Sequence, residues 1–152
     1  MDAEDADLHV CISHKRRRMI SSSKQERAAE GKECVKIPDG DDAGYKCYVG
    51  TRLVGSSTSS RVVNGGRYLV TKIGECVSLV DELTKEEFEM TTEAISKRCL
   101  LAHAMTYNKV QGSTENGTVM LHDTSSNFFR KCHLYVGLSR ATTGSNVFIA
   151  RD

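Results

Sequence analysis

The sequence predicts an α/β domain that is interrupted by a small β-rich insert. Near the front, a buried-looking run is followed at once by a helical pattern, and apolar runs of strand length return in the last third of the chain. The middle instead holds closely spaced short runs of β-forming residues, which are typical of a small all-β unit. We expect the α/β domain to comprise residues 1–35 and 98–152, and the insert to comprise 36–97.

The front of the chain has the pattern of one strand followed by one helix. Residues 8–12, LHVCI, are apolar enough for a buried strand. Ser13 is a suitable N-cap for the helix that follows, and Gly31 is a suitable stop signal at its end. We therefore predict a strand over 8–12 and a helix between Ser13 and Gly31.

The middle of the chain contains five short runs of β-forming residues, separated by Gly, Ser, Asp and the only Pro. These runs lie at 33–37, 45–49, 51–54, 66–73 and 76–80. The segment NGG at 64–66 is a turn signal of the kind that joins hairpin strands. Thr84 and Glu87 have the spacing of a capping box, which predicts a short helix from about residue 85.

Apolar runs in the last third of the chain predict strands at 98–105, 117–121 and 146–150. Leu134 and Leu138, between the last two runs, are four residues apart as on one helix face, but the apolar residues there also alternate. Parallel neighbouring strands need a crossover connection, and a helix is the usual one. We therefore predict a helix in this segment.

The composition is that of an ordinary globular protein and indicates no class of partner. The 152 residues carry a formal net charge of +1, so any electrostatic attraction of a ligand has to be local. The cysteines are too far apart for a zinc-type spacing, and no metal site is predicted. We expect reduced thiols in an intracellular protein of the cytoplasm or nucleus, with Cys11 and Cys99 in the core. No apolar span predicts a membrane segment.

A polar cluster follows the predicted strand that ends near Thr106. Within MTYNKVQGST, residues 105–114, a hydroxyl, an amide and an ammonium group come from Thr106, Asn108 and Lys109. In α/β sheets, ligands bind beyond the carboxyl ends of strands, where a helix N-terminus offers free N–H groups. The cluster is a candidate phosphate site, although solvated surface loops have a similar composition.

A second stretch, YVGLSRATTG at 135–144, ends an apolar run on Ser139 and Arg140. The two stretches together resemble the last two signature motifs of superfamily 1 helicases, in particular the RecD/Dda-like and PIF-type DNA helicases. Members of that group read A-x-A-x-T-x-H-K-S-Q-G-x-T and Y-V-A-L-S-R. The matching residues of this chain are Ala102, Ala104, Thr106, Lys109, Gln111, Gly112, Thr114, Tyr135, Val136, Leu138, Ser139 and Arg140. The departures are Asn108 for His, Val110 for Ser and Gly137 for Ala.

The resemblance extends to the rest of the chain. HVCISHKRRRMI at 9–20 is similar to the preceding motif of the family, and VGTRLV with VVNGG is similar to its β-rich insert. The resemblance therefore implies a RecA-like parallel sheet with helices, the second of two motor domains. It also implies that the insert is a small barrel of the Src-homology-3 type.

The resemblance also implies roles for individual residues. In the family, ATP with Mg²⁺ binds between two RecA-like domains, and we expect the first of them to lie outside this chain. Arg140 matches the arginine finger that reaches the γ-phosphate, while Gln111 and Gly112 match residues at the nucleotide cleft. The positions that match contacts to single-stranded DNA are Ser13, His14, Lys15, Thr106, Asn108 and Lys109.

Two further features allow more than one interpretation. The run HKRRR at 14–18 is a phosphate-binding surface, a nuclear localisation signal or a solvated helix face. Tyr107 either stacks on a base or packs half-buried beside the strand end.

The sequence lacks part of a nucleotide site. No G-x-x-x-x-G-K-[ST] pattern occurs, so it has no P-loop lysine and hydroxyl for the phosphates and magnesium. Asp81 and Glu82 resemble acids that hold magnesium, but they directly precede the predicted helix, whose first turn favours acids, and we interpret them as structural. We expect the parent protein to be an ATP-dependent helicase and this chain alone to be inactive.

Two other functions stay open. A viral RNA helicase of the same superfamily has similar motifs, and the choice between DNA and RNA depends on 2′-hydroxyl contacts that a sequence does not display. A non-catalytic module derived from a helicase would bind single strands or a protein partner through the insert.

Overall fold

A computed structural model describes residues 6–39, 42–110 and 115–151 of the chain. Contacts group these residues into two compact units, one of 6–21 with 103–151 and one of 22–102. The strands and helices are, in chain order, β1 (Leu8–Cys11), α1 (His14–Ala29), β2 (Val35–Asp39), β3 (Asp42–Cys47), β4 (Arg52–Gly55), β5 (Arg67–Lys72), β6 (Val77–Asp81), β7 (Glu87–Met90), α2 (Thr92–Arg98), β8 (Cys99–Leu101), β9 (Ala104–Thr106), α3 (Tyr107–Val110), β10 (Val119–Leu121), α4 (Lys131–Leu138) and β11 (Val147–Ile149).

The first unit, 6–21 with 103–151, is built on a four-stranded sheet in the order β11-β10-β1-β9. All three strand pairings are parallel. Every residue of β1, β9 and β10 is buried, which is why these strands have continuous apolar runs rather than alternating patterns. The predicted α/β fold with a parallel sheet and helices is confirmed.

Helix α1 begins and ends where its cap residues predict. The Ser13 Oγ accepts a hydrogen bond from the Arg16 amide at 3.1 Å, as an N-cap does. At the other end Gly31 has a φ of +73°, a conformation that glycine adopts without steric penalty. The helix α4, over Lys131–Leu138, likewise forms where a crossover was predicted.

The second unit, 22–102, is dominated by antiparallel strands. Five of them form a sheet in the order β7-β6-β5-β4-β8, and β2 pairs with β3 separately. The turn predicted at 64–66 is present, since the Gly66 amide donates to the Val63 carbonyl at 2.9 Å and Gly65 has a φ of +84°. The assignment of this region to the Src-homology-3 type, and the insert bounds 36–97, stay predictions.

The buried residues of the second unit form one apolar core. Its fully buried members come from most of its strands and from α2; they are Ile37, Cys47, Leu53, Val62, Tyr68, Val70, Val77, Leu79, Ile95, Cys99 and Leu101. Cys99 is thus a core residue as predicted, and Cys11 is buried in the first unit. All six cysteines are free thiols.

The short helix predicted from about residue 85 is wrong, because the segment forms a hairpin into β7. The Asp81 carboxylate accepts hydrogen bonds from the Leu83 and Thr84 amides at 2.8 and 3.2 Å. Lys85 then adopts a φ of +65°, which no helix interior allows. The Asp81 carboxylate therefore stabilises a turn rather than a helix start.

The single strand predicted over 98–105 is also wrong, because two strands separated by a turn occupy this segment. β8 pairs with β4 in the antiparallel sheet, whereas β9 pairs with β1 in the parallel one. Helix α2 directly before them was not predicted. It is capped by the Thr91 Oγ, which accepts from the Ala94 amide at 3.2 Å.

Candidate functional site

The parallel strands of the first unit end at one edge of their sheet, and polar residues follow three of them. Because β1 and β9 are neighbours with Cys11 opposite Thr106, the residues that follow these two strands emerge side by side. Asp123 follows β10, the other neighbour of β1. This is the edge at which α/β sheets bind their ligands.

The residues after β1 form the first turn of α1. Ser13, His14 and Lys15 are all exposed, and the Ser13 hydroxyl is engaged as the helix cap. The free N–H groups and the positive end of the helix dipole make such a turn favourable for anions. In the run HKRRR, His14, Lys15 and Arg18 are exposed, whereas Arg17 is buried.

Asp123 holds this turn from the neighbouring strand. One carboxylate oxygen accepts a hydrogen bond from the Ile12 amide at 2.9 Å, and the other accepts from the Arg16 guanidinium at 2.9 Å. Sequence reasoning missed this residue. The signal that could have identified Asp123 is its position just beyond the carboxyl end of a buried strand, as for Asn108 and Lys109 after β9.

Cys11 connects the ends of two strands beneath the same turn. Its thiol lies 3.7 Å from the Met105 carbonyl oxygen and 3.8 Å from that of Ser13, within reach of weak hydrogen bonds. Burial, assisted by the Asp123 carboxylate, raises the pKa of Cys11 from its ordinary value of 9.0 to about 12. The thiol is therefore a neutral core group and not a nucleophile.

The residues after β9 form the single turn α3. Thr106 is buried, and its Oγ1 accepts from the Lys109 amide at 3.3 Å. Asn108 is exposed, whereas Lys109 is half-buried. Burial lowers the pKa of Lys109, because desolvation disfavours the charged ammonium. An anion placed beside Lys109 would reverse that effect.

Tyr107 is a core residue, so its ring is not available to stack on a base. The ring packs against Phe129 and His133, with centroids 5.6 and 5.3 Å away, and its hydroxyl donates to the His122 carbonyl at 2.9 Å. These contacts join α3 to the segment that begins α4. They fix the position of the Thr106 turn relative to that of Arg140.

Arg140 follows the C-terminus of α4 and bonds to both flanks of residues 111–114. Its Nη1 donates to the Val110 carbonyl at 3.2 Å, and its own carbonyl accepts from the Glu115 amide at 2.6 Å. The Nε donates to the Val136 carbonyl at 3.0 Å, and Nη2 donates to the Ser139 hydroxyl at 2.8 Å. The partners of the guanidinium named here are neutral oxygens, with which a phosphate oxygen would compete favourably.

The predicted nucleotide residues Gln111 and Gly112, with Thr114, lie outside the described residues. Their flanks are described, and both flanks bond to Arg140. The structure therefore brings Arg140 next to Val110 and Glu115, the residues that flank this segment in the sequence.

Gly137, one of the departures from the helicase pattern, has a packing reason. A Cβ at this position would lie 2.6 Å from Leu121 Cδ2 and 3.3 Å from Tyr107 Cε1. Glycine thus lets α4 lie directly against β10, where Leu121 fills the space of the missing methyl group.

The described residues present cations and amides at this edge rather than a metal centre. Among the residues that the structure describes, no group of three or more His, Cys, Asp or Glu side chains could hold a metal ion. Likewise, no described helix is long and apolar enough to cross a membrane.

Comparison with known proteins identifies the family to which the chain belongs. Residues 46–149 match the family described as the viral superfamily 1 RNA helicase core domain. No curated protein sequence matches the chain significantly.

Solved structures with a similar fold include several Pif1 helicases. Bacteroides Pif1 bound to ssDNA superposes with a TM-score of 0.66 at 20% identity, over 93% of this chain and 40% of that one. A Pif1 structure described as the structural basis for DNA unwinding at forked dsDNA by two coordinating Pif1 helicases has a TM-score of 0.68 at 22% identity. The match covers 98% of this chain and 39% of that one. Pif1 from Bacteroides sp. in complex with ADP-AlF4 has a TM-score of 0.54 at 20% identity, and the match covers 97% of this chain and 41% of that one. The likeness is one of fold, and the chain spans about 40% of the length of these proteins.

Proposed function

Because the chain belongs to the family of viral superfamily 1 RNA helicase core domains, we propose that it is the C-terminal motor portion of an ATP-dependent DNA helicase. In this proposal its parallel-sheet unit is the second RecA-like domain. That unit grips a single nucleic-acid strand and supplies an arginine finger to ATP held jointly with a first RecA-like domain.

The observation that carries the proposal is the common edge of the parallel sheet. The pairing of Cys11 with Thr106 brings two strand ends together, and Ser13, Lys15 and Lys109 follow them. Exposed amide, hydroxyl and ammonium donors at such an edge suit phosphate oxygens, which they position without reading bases. A similar fold bound to ssDNA supports the assignment of the ligand.

On the nucleotide side, the proposed residues are Gln111, Gly112 and Arg140. The planar guanidinium of Arg140 fits a transferring phosphoryl group, whose charge spreads over several oxygens. Bound ATP with Mg²⁺ would supply the phosphoryl group whose transfer drives strand movement. The described residues fit the phosphates better than the metal, so we assign the magnesium ligands to the first RecA-like domain. A similar fold in complex with ADP-AlF4 supports a nucleotide ligand.

The same features explain why we expect no ATP hydrolysis by this chain alone. An arginine finger contributes about 10³–10⁵ in rate, but only to a nucleotide that a P-loop already holds. The sequence has no P-loop. We also propose, from the free thiols, that the protein works in the reducing environment of the cytoplasm or nucleus.

One alternative is favoured by the family description itself, which names viral RNA helicases. The strand would then be RNA, held at the same sheet edge. The other alternative, a non-catalytic module that binds single strands or a protein partner, keeps the fold but assigns no role to Arg140.

The test measures binding of a fluorescently labelled single-stranded DNA oligonucleotide and its RNA twin by anisotropy, at low and raised salt. We expect salt-sensitive binding, and the double variant Thr106→Ala with Lys109→Ala should weaken it about tenfold or more. It removes the proposed phosphate contact of Lys109 and the Thr106 hydroxyl that caps the turn. The ratio of DNA to RNA affinity chooses between the two helicase types.

The matched control is Thr91→Ala with Lys72→Ala in the other unit. Thr91 caps α2 with the same geometry with which Thr106 caps α3, and Lys72 is an exposed lysine of β5. Equal losses of affinity in both double variants, or no binding of either strand at low salt, would contradict the proposal.

A further inference from the structure

We propose that Asp123 is a positioning residue that holds the turn Ile12–Lys15 in the shape that binds nucleic-acid phosphates; this inference rests on the proposed function. Asp123 does not touch the strand itself. It acts through the backbone of Ile12 and the side chain of Arg16, which lie on either side of the exposed residues Ser13, His14 and Lys15.

The contacts fasten the turn at two points. The Ile12 amide, the first residue after β1, donates to one carboxylate oxygen at 2.9 Å. Arg16, in the first turn of α1, donates to the other oxygen at 2.9 Å and forms an ion pair with it. The Asp123 side chain is 14% exposed, so the hydrogen bond that it accepts from the Ile12 amide is sheltered from water. The Arg16 side chain is 39% exposed, so the ion pair is partly open to solvent and contributes less.

The position of Asp123 is itself tightly defined. It follows His122, whose amide continues the sheet by donating to the Val10 carbonyl at 2.9 Å. Asp123 then has a φ of +62°, a conformation in which a non-glycine residue is uncommon. Its own carbonyl accepts from the Ser126 amide at 3.0 Å. The carboxylate is therefore presented to the turn by a fixed backbone.

The charge of Asp123 and its positioning role have opposite effects on the affinity for nucleic acid. A carboxylate beside a phosphate-binding turn repels phosphate, so a residue that acted only through its charge would weaken binding. Removing that charge would then strengthen binding. A residue that positions the turn has the opposite effect, because its removal releases the Ile12 amide and the Arg16 side chain.

The experiment compares two variants that remove the same charge. Asp123→Ala removes both contacts, whereas Asp123→Asn keeps an oxygen that accepts from the Ile12 amide. We expect Asp123→Ala to weaken binding of the labelled single-stranded DNA oligonucleotide about tenfold, because the turn loses both contacts. Asp123→Asn should weaken it less, because the contact with the Ile12 amide stays. Hydrogen exchange at the Ile12 amide should be faster in Asp123→Ala than in Asp123→Asn.

Asp81→Ala is the matched control. Its carboxylate also accepts from two backbone amides, those of Leu83 and Thr84, but at the β6–β7 turn of the other unit. We expect it to lower stability while leaving the affinity for DNA unchanged. If Asp123→Ala does not fold, Asp123→Asn alone is compared with the unaltered chain, and the test is again whether the affinity for DNA falls or rises.

Measuring the effect of Asp123→Ala in a second variant, Lys15→Ala, distinguishes a positioning role from a general loss of structure. In a Lys15→Ala chain, one of the groups that Asp123 positions is already missing, so the added effect of Asp123→Ala on affinity should shrink. A merely structural role would lower affinity by the same factor in both backgrounds.

The outcomes are distinct. Weaker binding in the order unaltered chain, Asp123→Asn, Asp123→Ala supports the inference. Binding as tight as that of the unaltered chain, or tighter, in both variants overturns the inference and leaves the proposed function intact. Absence of binding by the unaltered chain overturns the proposed function and the inference with it.

Discussion

In the unit of residues 6–21 and 103–151 the strands run parallel, whereas in the unit of 22–102 each strand pair that the structure describes is antiparallel. Parallel strands all end at one edge, so the polar residues that follow β1, β9 and β10 gather there. Antiparallel strands end alternately at opposite edges, and tight turns join several of them. Only the first arrangement collects donors from distant parts of the sequence into one site.

In both units an aspartate carboxylate accepts hydrogen bonds from backbone amides, but the sequence separation of the partners differs greatly. The Asp81 carboxylate accepts from amides two and three residues further along, and so closes a local turn. The Asp123 carboxylate accepts from the Ile12 amide across 111 sequence positions. The same type of contact therefore closes a local turn in the second unit and joins distant segments of the sequence in the first.

The largest expected effect comes from the two cores. Leu79 and Leu121 are both fully buried, one in each unit, and replacing either by Ala should lower the free energy of unfolding by about 2–5 kcal/mol. Only Leu121→Ala should also weaken nucleic-acid binding, because Leu121 lies in β10 beneath α4 and next to β1. Urea unfolding gives the stabilities, and anisotropy below the unfolding transition gives the affinities. Equal losses of affinity in both variants would show that the units are not functionally separate.

A smaller effect is expected from alkaline pH. Burial raises the pKa of Cys11 and Cys99 to about 12 and that of Cys47 to about 11, from an ordinary 9.0. Above pH 9 the unfolded chain releases these protons first, so stability is fully present below that pH and falls as pH rises. At about pH 10 each buried thiol should lower the free energy of unfolding by about 1.4 kcal/mol.

The two units should therefore differ in their response to pH. The second unit has two of these thiols, Cys47 and Cys99, and the first has only Cys11. Hydrogen exchange at increasing pH should show the second unit losing about twice as much thiol-linked stability as the first. The variant Cys47→Ala with Cys99→Ala should flatten that dependence, and an unchanged slope would contradict the assignment.

Local pattern was sufficient for the parts of the fold that depend on local chemistry. The strand at 8–12, the capped helix that follows and the crossover helix before Arg140 all form as predicted. The prediction failed where tertiary context decided. Thr84 and Glu87 have capping-box spacing, but the pairing of β6 with β7 takes that segment into a hairpin. The run at 98–105 is apolar throughout, and only the division between two sheets separates it into β8 and β9.

The candidate site was predictable where its residues lie in local sequence motifs and not where it depends on tertiary contacts. Thr106, Lys109 and Arg140 lie in motifs that can be read from the sequence, and in the structure Arg140 donates a hydrogen bond to the Val110 carbonyl, at the end of the turn that follows Thr106. Asp123 belongs to no sequence motif. Its partner Ile12 lies 111 positions away and comes close only after the sheet has formed. A contact of that kind requires the register of β1 and β10.

We propose that the nucleic-acid strand lies on the parallel-sheet edge, and cross-linking locates the strand on the protein. A single-stranded oligonucleotide that carries a diazirine, whose carbene inserts into neighbouring bonds without needing an aromatic side chain, would be irradiated with the unaltered chain. The attached peptides would then be identified by mass spectrometry. We expect cross-links in the segments 12–18 and 106–110, and these should be lost when unlabelled strand competes. Cross-links confined to residues 22–102 would contradict it, and would place the strand on the antiparallel unit instead.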